Sequence, residues 1–388
     1  MTKYAHVQGF VQPGFGAIAE AFERNFTDHG ELGAGFSLYV DGEPVVDIWG
    51  GVADRASGRP WDDTTLQLVF SSTKGAVAIC IAQLVERGAL SYDDLVEQHW
   101  PTLVAAQGTR LTVGQLLSHQ AGLIAFDRQL TFEDVCAVAP VVKALEVQTP
   151  FWTPGTDHGY HALTFGWLAG ELLRRIDGRS IGTFFADEVA KPLGLEFWIG
   201  LAEEEESRVA TLQLAPAPVD PAEIAMMKQS MARGTNGYRA LSLDGTIRMT
   251  PVNHFNTREL HATEMAAANG ITNARSLARM YAATIGEVDG LRLFGDDTLA
   301  QARAERANGP DLTLIKPTRF GAGFWLHNVS TPMVQDGSFG HPGAGGSLGY
   351  ANPELGIGYG YVMNQMGGGL TGDPRTMNLN NAVLASMQ

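Results

Sequence analysis

The hydrophobic and polar positions change rhythm several times along the chain. Residues 15–29 carry apolar side chains at helical spacing and predict an amphipathic helix. Residues 35–50, GFSLYVDGEPVVDIWG, read instead as two strands around Asp41-Gly42, a dipeptide that favours the tight turn of a hairpin. Residues 66–70 are a short apolar run. From Ser72 to about Arg87 the helical period returns, with Val77, Cys80, Ile81, Leu84 and Val85 on one face and Gly88 placed to end the helix. Helical patterns dominate residues 90–200. Thr112 is placed to cap a helix through Leu117, and residues 160–176, YHALTFGWLAGELLRRI, predict another. Residues 200–260 are polar, contain Pro and Met, and show no clear period; the four glutamates at 203–206 read as a solvated face or loop. Residues 273–285 are helical again, whereas 320–327 and 337–364, rich in Gly and aromatics, alternate as strands.

Strands, then many helices, then strands predict an α/β (α+β) fold. A mainly antiparallel sheet with flanking helices is drawn from both ends of the chain, about 1–70 and 260–388, and an all-helical lobe, about 71–260, is inserted between them. The 388 residues suffice for one catalytic unit of this kind. A formal charge of −15 argues against nucleic acid and anionic membrane as partners. No run approaches the roughly 18 apolar residues of a membrane span. Residues 1–10 lack the apolar core and small-residue site of a secretory leader, so a cytoplasmic address is expected. Cys80 and Cys136 sit among apolar neighbours and read as two buried thiols, with a disulfide left open. A homo-oligomer is compatible with the sequence, which marks no surface for one.

Three stretches carry candidate chemistry. Ser71-Ser72-Thr73-Lys74 is the one S-x-x-K of the chain. If Ser71 opens the helix, Lys74 lies one turn on, on the same face, where its amine reaches the serine hydroxyl. A free serine is a weak nucleophile and needs such a neighbour. The bland alternative is an ordinary helix start with an exposed lysine. Tyr160, after Trp152-Thr153-Pro154-Gly155, is a second candidate, because a tyrosine beside an ammonium can have a lowered pKa and act as a base; its alternative is a buried helix-start tyrosine with its hydroxyl bonded. In Phe339-Gly340-His341-Pro342-Gly343-Ala344-Gly345-Gly346-Ser347, glycines allow close backbone approach, and an N–H there, with that of Ser71, would receive an oxyanion. The alternative is a Gly-rich turn.

Two motif matches are set aside. Gly345-Gly346-Ser347-Leu348-Gly349 fits the nucleophile elbow G-x-S-x-G, but that architecture needs a histidine after the serine, and the last of the ten histidines is His341. His158-x-x-His161 beside Asp157 lacks a third ligand in a helical pattern, so no metal is assigned. Trp152, Trp325 and Phe324 are candidates to line an acyl pocket, with core packing as the alternative.

In this order the motifs resemble those of the serine β-lactamase and penicillin-binding protein superfamily, in particular the class C-like branch that contains the family VIII carboxylesterases. The resembling segments run along nearly the whole chain. Besides Ser71–Lys74, they include Leu116-Leu117-Ser118-His119-Gln120-Ala121-Gly122-Leu123, Pro154-Gly155 with Tyr160-His161, Lys191-Pro192-Leu193-Gly194-Leu195, and Asn269-Gly270 with Asn273-Ala274-Arg275. His341-Pro342-Gly343 falls where the superfamily has lysine-threonine-glycine. The resemblance implies a β-lactamase/transpeptidase-like fold and an acyl-enzyme on Ser71. Lys74 and Tyr160 would share proton transfer, and the N–H groups of Ser71 and Ala344 would form the oxyanion hole. No cofactor is implied. Two departures favour small neutral esters over β-lactams or peptidoglycan: Ala162 replaces the asparagine of the second motif, and His341 replaces the lysine of the third. β-Lactam or D-alanyl-D-alanine peptide hydrolysis, acyl transfer and amide hydrolysis on the same scaffold are the alternatives.

Overall fold

In the computed structural model, which describes residues 7–218 and 220–388, two antiparallel sheets form. The first six residues, part of the stretch read for a leader, lie outside the described residues, as does position 219. The strands are β1 (Gln8–Val11), β2 (Gly33–Val40), β3 (Glu43–Asp54), β4 (Arg59–Pro60), β5 (Gln67–Leu68), β6 (Phe197–Trp198) and β7 (Ile271–Thr272), followed by β8 (Ala307–Pro310), β9 (Pro317–Phe320), β10 (Trp325–Leu326), β11 (Phe339–Pro342), β12 (Leu348–Asn352) and β13 (Ile357–Met363). The large sheet runs β1-β3-β2-β13-β12-β11-β10-β9-β8, with β4 beside β3, so strands from the two ends of the chain meet where β2 pairs β13. A small sheet, β5-β7-β6, sits under the first motif. This is the mixed α/β architecture, mainly antiparallel with flanking helices, that the sequence pattern predicts.

The predicted hairpin forms with Val40 opposite Glu43, and Asp41 and Gly42 take the positive φ values of 47° and 84° that its tight turn needs. Side chains of β13 alternate between two layers. Tyr359, Tyr361 and Met363 join Ile18 and Phe22 of the helix Gly16–Asp28 and Leu379 and Val383 of the helix Pro374–Ser386 in one core. Toward the helix Ala274–Ile285 the strand presents Gly358 and Gly360. A Cβ at Gly360 would lie 2.3 Å from the Ala274 carbonyl oxygen, so glycine lets helix and strand approach.

Where structure and sequence pattern differ, long-range packing is the cause. The helix Thr73–Glu86 is expected to bury one face, but every side chain from Thr73 to Leu84 is buried. It is the central helix, wedged among Thr164–Asp177, Asp296–Arg303 and β11. The helix predicted from residue 160 starts at Thr164 instead. Cys80 is buried, but Cys136, on the short helix Phe132–Ala137, is half-exposed; both thiols are free. Residues 200–260 hold short helical pieces, including Pro221–Ser230 and Asn236–Ser242. The glutamate run forms a 3₁₀ segment, Glu203–Arg208, in which Glu206 is not simply solvated: it accepts from Arg258 and faces His261 Nδ1 at 2.8 Å. Among the described residues no helix is long and apolar enough to cross a membrane.

Candidate active site

The first motif is a turn clamped from both sides. After β5 the chain passes through Phe70 at a φ of 46° and reaches Ser71 two residues before the central helix. The motif's inner residues supply the clamp. Thr73 Oγ1 donates to the Phe70 carbonyl at 2.5 Å and accepts from Gly270 N–H at 2.8 Å, tying the turn to the residue that leads into β7. Ser72 Oγ donates to the His341 carbonyl at 3.1 Å, tying it to β11. Gly343 completes the contact: a Cβ there would sit 2.2 Å from the Val69 carbonyl oxygen.

Lys74 is fully buried, and its Nζ has three polar neighbours. Ser71 Oγ lies at 3.0 Å, and the carbonyls of Ala162 and Ala267 accept at 2.7 and 2.9 Å. No carboxylate pairs with it among the described residues. Burial therefore holds the amine well below the ordinary lysine pKa. A neutral amine has two N–H groups and one lone pair. The two carbonyls use the N–H groups, which leaves the lone pair for the Ser71 hydroxyl.

Tyr160 is 2% exposed and its hydroxyl faces Ser71 without completing a hydrogen bond of normal geometry. The lowered pKa expected for Tyr160 is not found: burial outweighs the neighbouring amine and pushes the phenol above its usual range, so it stands protonated as a donor. Its place before the helix comes from partners distant in sequence. Tyr160 N–H donates to both oxygens of the buried Asp311 carboxylate, at 3.0 and 3.1 Å, and His161 N–H donates to His119 Nδ1 at 3.1 Å. Asp311 is held in turn by the N–H groups of Thr313 and Leu314 and by the Thr318 hydroxyl. Aromatic rings fix the Tyr160 ring, with centroids 5.0 Å away at His119, 5.4 Å at Trp325 and 6.0 Å at His341.

Burial holds the histidines around the site, His119, His158, His161 and His341, below their usual pKa. His161 has both ring nitrogens engaged, by the Gly159 carbonyl and by Leu123 N–H, and burial lowers it to about 4. His158 Nε2 is 2.9 Å from Thr318 Oγ1, so the His158–His161 pair is spent on packing. His341 is fully buried and held well below its usual pKa by burial first and Lys74 second. Its Nδ1 donates to the Pro342 carbonyl, which leaves Nε2 as an acceptor without a partner. Among the described residues no group of three or more His, Cys, Asp or Glu is placed to hold a metal ion. Neither Ser71 N–H nor Ala344 N–H makes a hydrogen bond there either.

The structure thus brings Ser71, Lys74, Tyr160 and His341 into one cluster, with Gly343 packed against the serine turn and Ala344 next along the chain. Ser347 stands apart from this chemistry: it is 1% exposed, and its hydroxyl donates to the Val69 carbonyl at 2.8 Å. Of the aromatic candidates, Trp325 touches the cluster, Trp152 is half-exposed against His161, and Phe324 lies in the core against Phe339. Asp311 and the carbonyls of Ala162 and Ala267 escaped sequence reasoning, because nothing local distinguishes them. A cavity of about 460 Å³ opens between Phe126, Arg128, Tyr238 and Arg239, and neither Ser71, Lys74 nor Tyr160 lines it.

A half-buried S-x-x-K serine with its buried lysine and a facing tyrosine, beside two antiparallel sheets, define a serine hydrolase of the β-lactamase type. Residues 18–383 match the model of the family described as Beta-lactamase, and the chain belongs to that family. It is 35% identical over 370 residues, 93% of its length and 83% of the relative's, to a Mycobacterium tuberculosis protein named Esterase/beta-lactamase LipL. Among solved structures it resembles a family VIII carboxylesterase, with a TM-score of 0.88 and 34% identity over 98% of this chain and 100% of that one. It also resembles a penicillin-binding protein homolog from Caulobacter crescentus, with a TM-score of 0.86 and 37% identity over 98% and 100% of the two chains.

Proposed function

We propose that this hydrolase is a carboxylesterase for short-chain acyl esters, working through an acyl-enzyme on Ser71. The observation that carries the reading is the Lys74 amine, 3.0 Å from Ser71 Oγ and with no carboxylate partner among the described residues. As Ser71 Oγ attacks the ester carbonyl, Lys74 takes its proton. The carbonyl oxygen gains the charge and meets the N–H groups of Ser71 and Ala344. Collapse expels the alkoxide, which receives a proton from Tyr160 Oη; the proton on Lys74 restores the phenol. Water then attacks the acyl-enzyme with the same groups acting in reverse, releasing acid and free Ser71. Neutral His341 puts no cation where the superfamily's third-motif lysine would meet a carboxylate, which favours uncharged esters. The names of the two hydrolase relatives, an esterase/β-lactamase and a family VIII carboxylesterase, support ester substrates.

The test is a turnover panel of p-nitrophenyl esters from acetate to decanoate, beside nitrocefin, on wild-type protein and Ser71→Ala. The expected result is fastest turnover of the short esters, weak nitrocefin hydrolysis, and loss of both in a folded Ser71→Ala protein. Nitrocefin turnover exceeding that of every ester would move the reading to β-lactam hydrolysis. Silence on both would move it to amide hydrolysis or acyl transfer.

A further inference from the structure

We propose that Arg375, at the start of the C-terminal helix, is a positioning residue for the turn that presents the Ala344 N–H, its guanidinium bonded to that turn's backbone through Gly345. The inference rests on the acyl-enzyme reading above and adds to it a residue far from the three motifs in sequence.

Arg375 is 3% exposed, and all five of its N–H groups are used. Nη2 donates to the Gly345 carbonyl at 2.7 Å and to Asp373 Oδ2 at 2.8 Å. Nη1 donates to the Gln365 carbonyl at 2.8 Å and to Glu31 Oε1 at 3.0 Å. Nε donates to Asp373 Oδ1 at 2.9 Å. The other Glu31 oxygen accepts from the Tyr361 hydroxyl. One side chain therefore joins the segment before β2, the end of β13, the C-terminal helix and the third-motif turn.

The turn is shaped around this guanidinium. Gly345 and Gly346 have φ values of 81° and 129°, backbone that L side chains rarely adopt. A Cβ on Gly346 would lie 2.9 Å from Arg375 Nη2 and 2.8 Å from Asp373 Oδ2. Gly346 is thus explained by an internal cation, whereas a Cβ on Gly345 would lie 2.7 Å from the Met366 side chain. The Gly345 carbonyl also accepts from Gly367 N–H at 2.8 Å, while Gly345 N–H donates to Gly369 at 3.0 Å. Burying a cation with two carboxylates is costly, and apolar residues hold a helix to a sheet at least as well. What apolar residues would not do is bond a main-chain carbonyl in the turn and so fix the direction of the adjoining peptides. An oxyanion donor needs that fixity, because its value depends on being oriented before charge develops.

The test uses the full-length protein and reads kcat, KM and the affinity of an alkyl boronic acid, which forms a tetrahedral adduct with the serine. Arg375→Lys keeps the charge and loses the fork. The expected result is a kcat lowered roughly ten- to a hundredfold, less than the loss from deleting an oxyanion donor outright. Boronate affinity should weaken in step, and KM should stay within about threefold. Glu31→Gln, which keeps a side-chain oxygen for Arg375, should move kcat and boronate affinity the same way by a few-fold. A folded Arg375→Lys protein with lowered thermal stability but wild-type kcat and boronate affinity overturns the proposal and leaves the Ser71 reading intact. If Arg375→Lys does not fold, an unchanged kcat and boronate affinity in Glu31→Gln overturns it equally. Wild-type protein in which a covalent serine probe and the boronate both fail to engage Ser71 removes the acyl-enzyme reading itself, and the proposal with it.

Discussion

Replacing Ser347 by alanine separates the two serine motifs in this chain. If Gly345-Gly346-Ser347-Leu348-Gly349 were a nucleophile elbow, losing its hydroxyl would cost several orders of magnitude in kcat, as removal of an attacking serine does, roughly 10⁶-fold. The structure gives that hydroxyl another job. It donates to the Val69 carbonyl at 2.8 Å and lies 3.3 Å from Ser72 Oγ, pinning the start of β12 to the turn before Ser71. Val69 keeps a second donor in Ser72 N–H at 3.1 Å, so alanine leaves no orphaned carbonyl. The loss is one neutral hydrogen bond and the volume of one oxygen, about 1–2 kcal/mol. For 388 residues unfolding with roughly 2.1 cal/mol/K each, that shifts Tm by about 1–3 °C. The expected outcome is a small drop in Tm by calorimetry, with kcat/KM on a short p-nitrophenyl ester within about threefold of wild type. A folded Ser347→Ala protein that has lost about a thousandfold or more in kcat/KM would refute the reasoning and return the nucleophile to β12.

Further expectations follow from the same site. Tyr160→Phe removes a hydroxyl that has no hydrogen-bond partner in the resting protein, so Tm should change by no more than about 1 °C while kcat falls roughly 10²- to 10⁴-fold; a kcat near wild type would take Tyr160 out of proton transfer. Lys74 is depressed by burial and acts only when neutral, so kcat/KM should fall as acid protonates it and hold level on the alkaline side, where the raised Tyr160 phenol keeps its proton. A kcat/KM that rises only near the ordinary lysine pKa of about 10.4 would show an unperturbed amine. Burial raises the Cys80 thiol and leaves Cys136 half-exposed, so native protein should yield at most one thiol to a disulfide reagent and two after denaturation; two fast native thiols would contradict the packing of the central helix.

What was legible in the sequence is what short-range spacing determines. Ser71 and Lys74 are three residues apart, so local spacing alone suggests the pair that stands at 3.0 Å, and the fold then holds the amine through the carbonyls of Ala162 and Ala267. The Asp41-Gly42 hairpin needs only its own two positive φ values. The helix Ala274–Ile285 has its cap beside it, Asn273 accepting from Ser276 N–H. Tyr160 shows where this ends. Its side chain is identifiable from the resemblance, but its backbone leaves the helical pattern because its N–H is claimed by Asp311, 151 residues away. The lowered pKa of Lys74 is equally invisible in S-x-x-K, since it arises from burial by segments distant in sequence, with no carboxylate beside it among the described residues. The glycine run after His341 is the sharpest case. A glycine states that a Cβ would collide and leaves unsaid what it would strike. At Gly343 the obstacle is the serine turn, through the Val69 carbonyl; at Gly346 it is the Arg375–Asp373 pair. The run that sequence assigned to ligand approach is therefore shared between the face it turns to Ser71 and a buried cation on its other side. Only the fold tells the two apart, because Arg375 comes from the last helix of the chain.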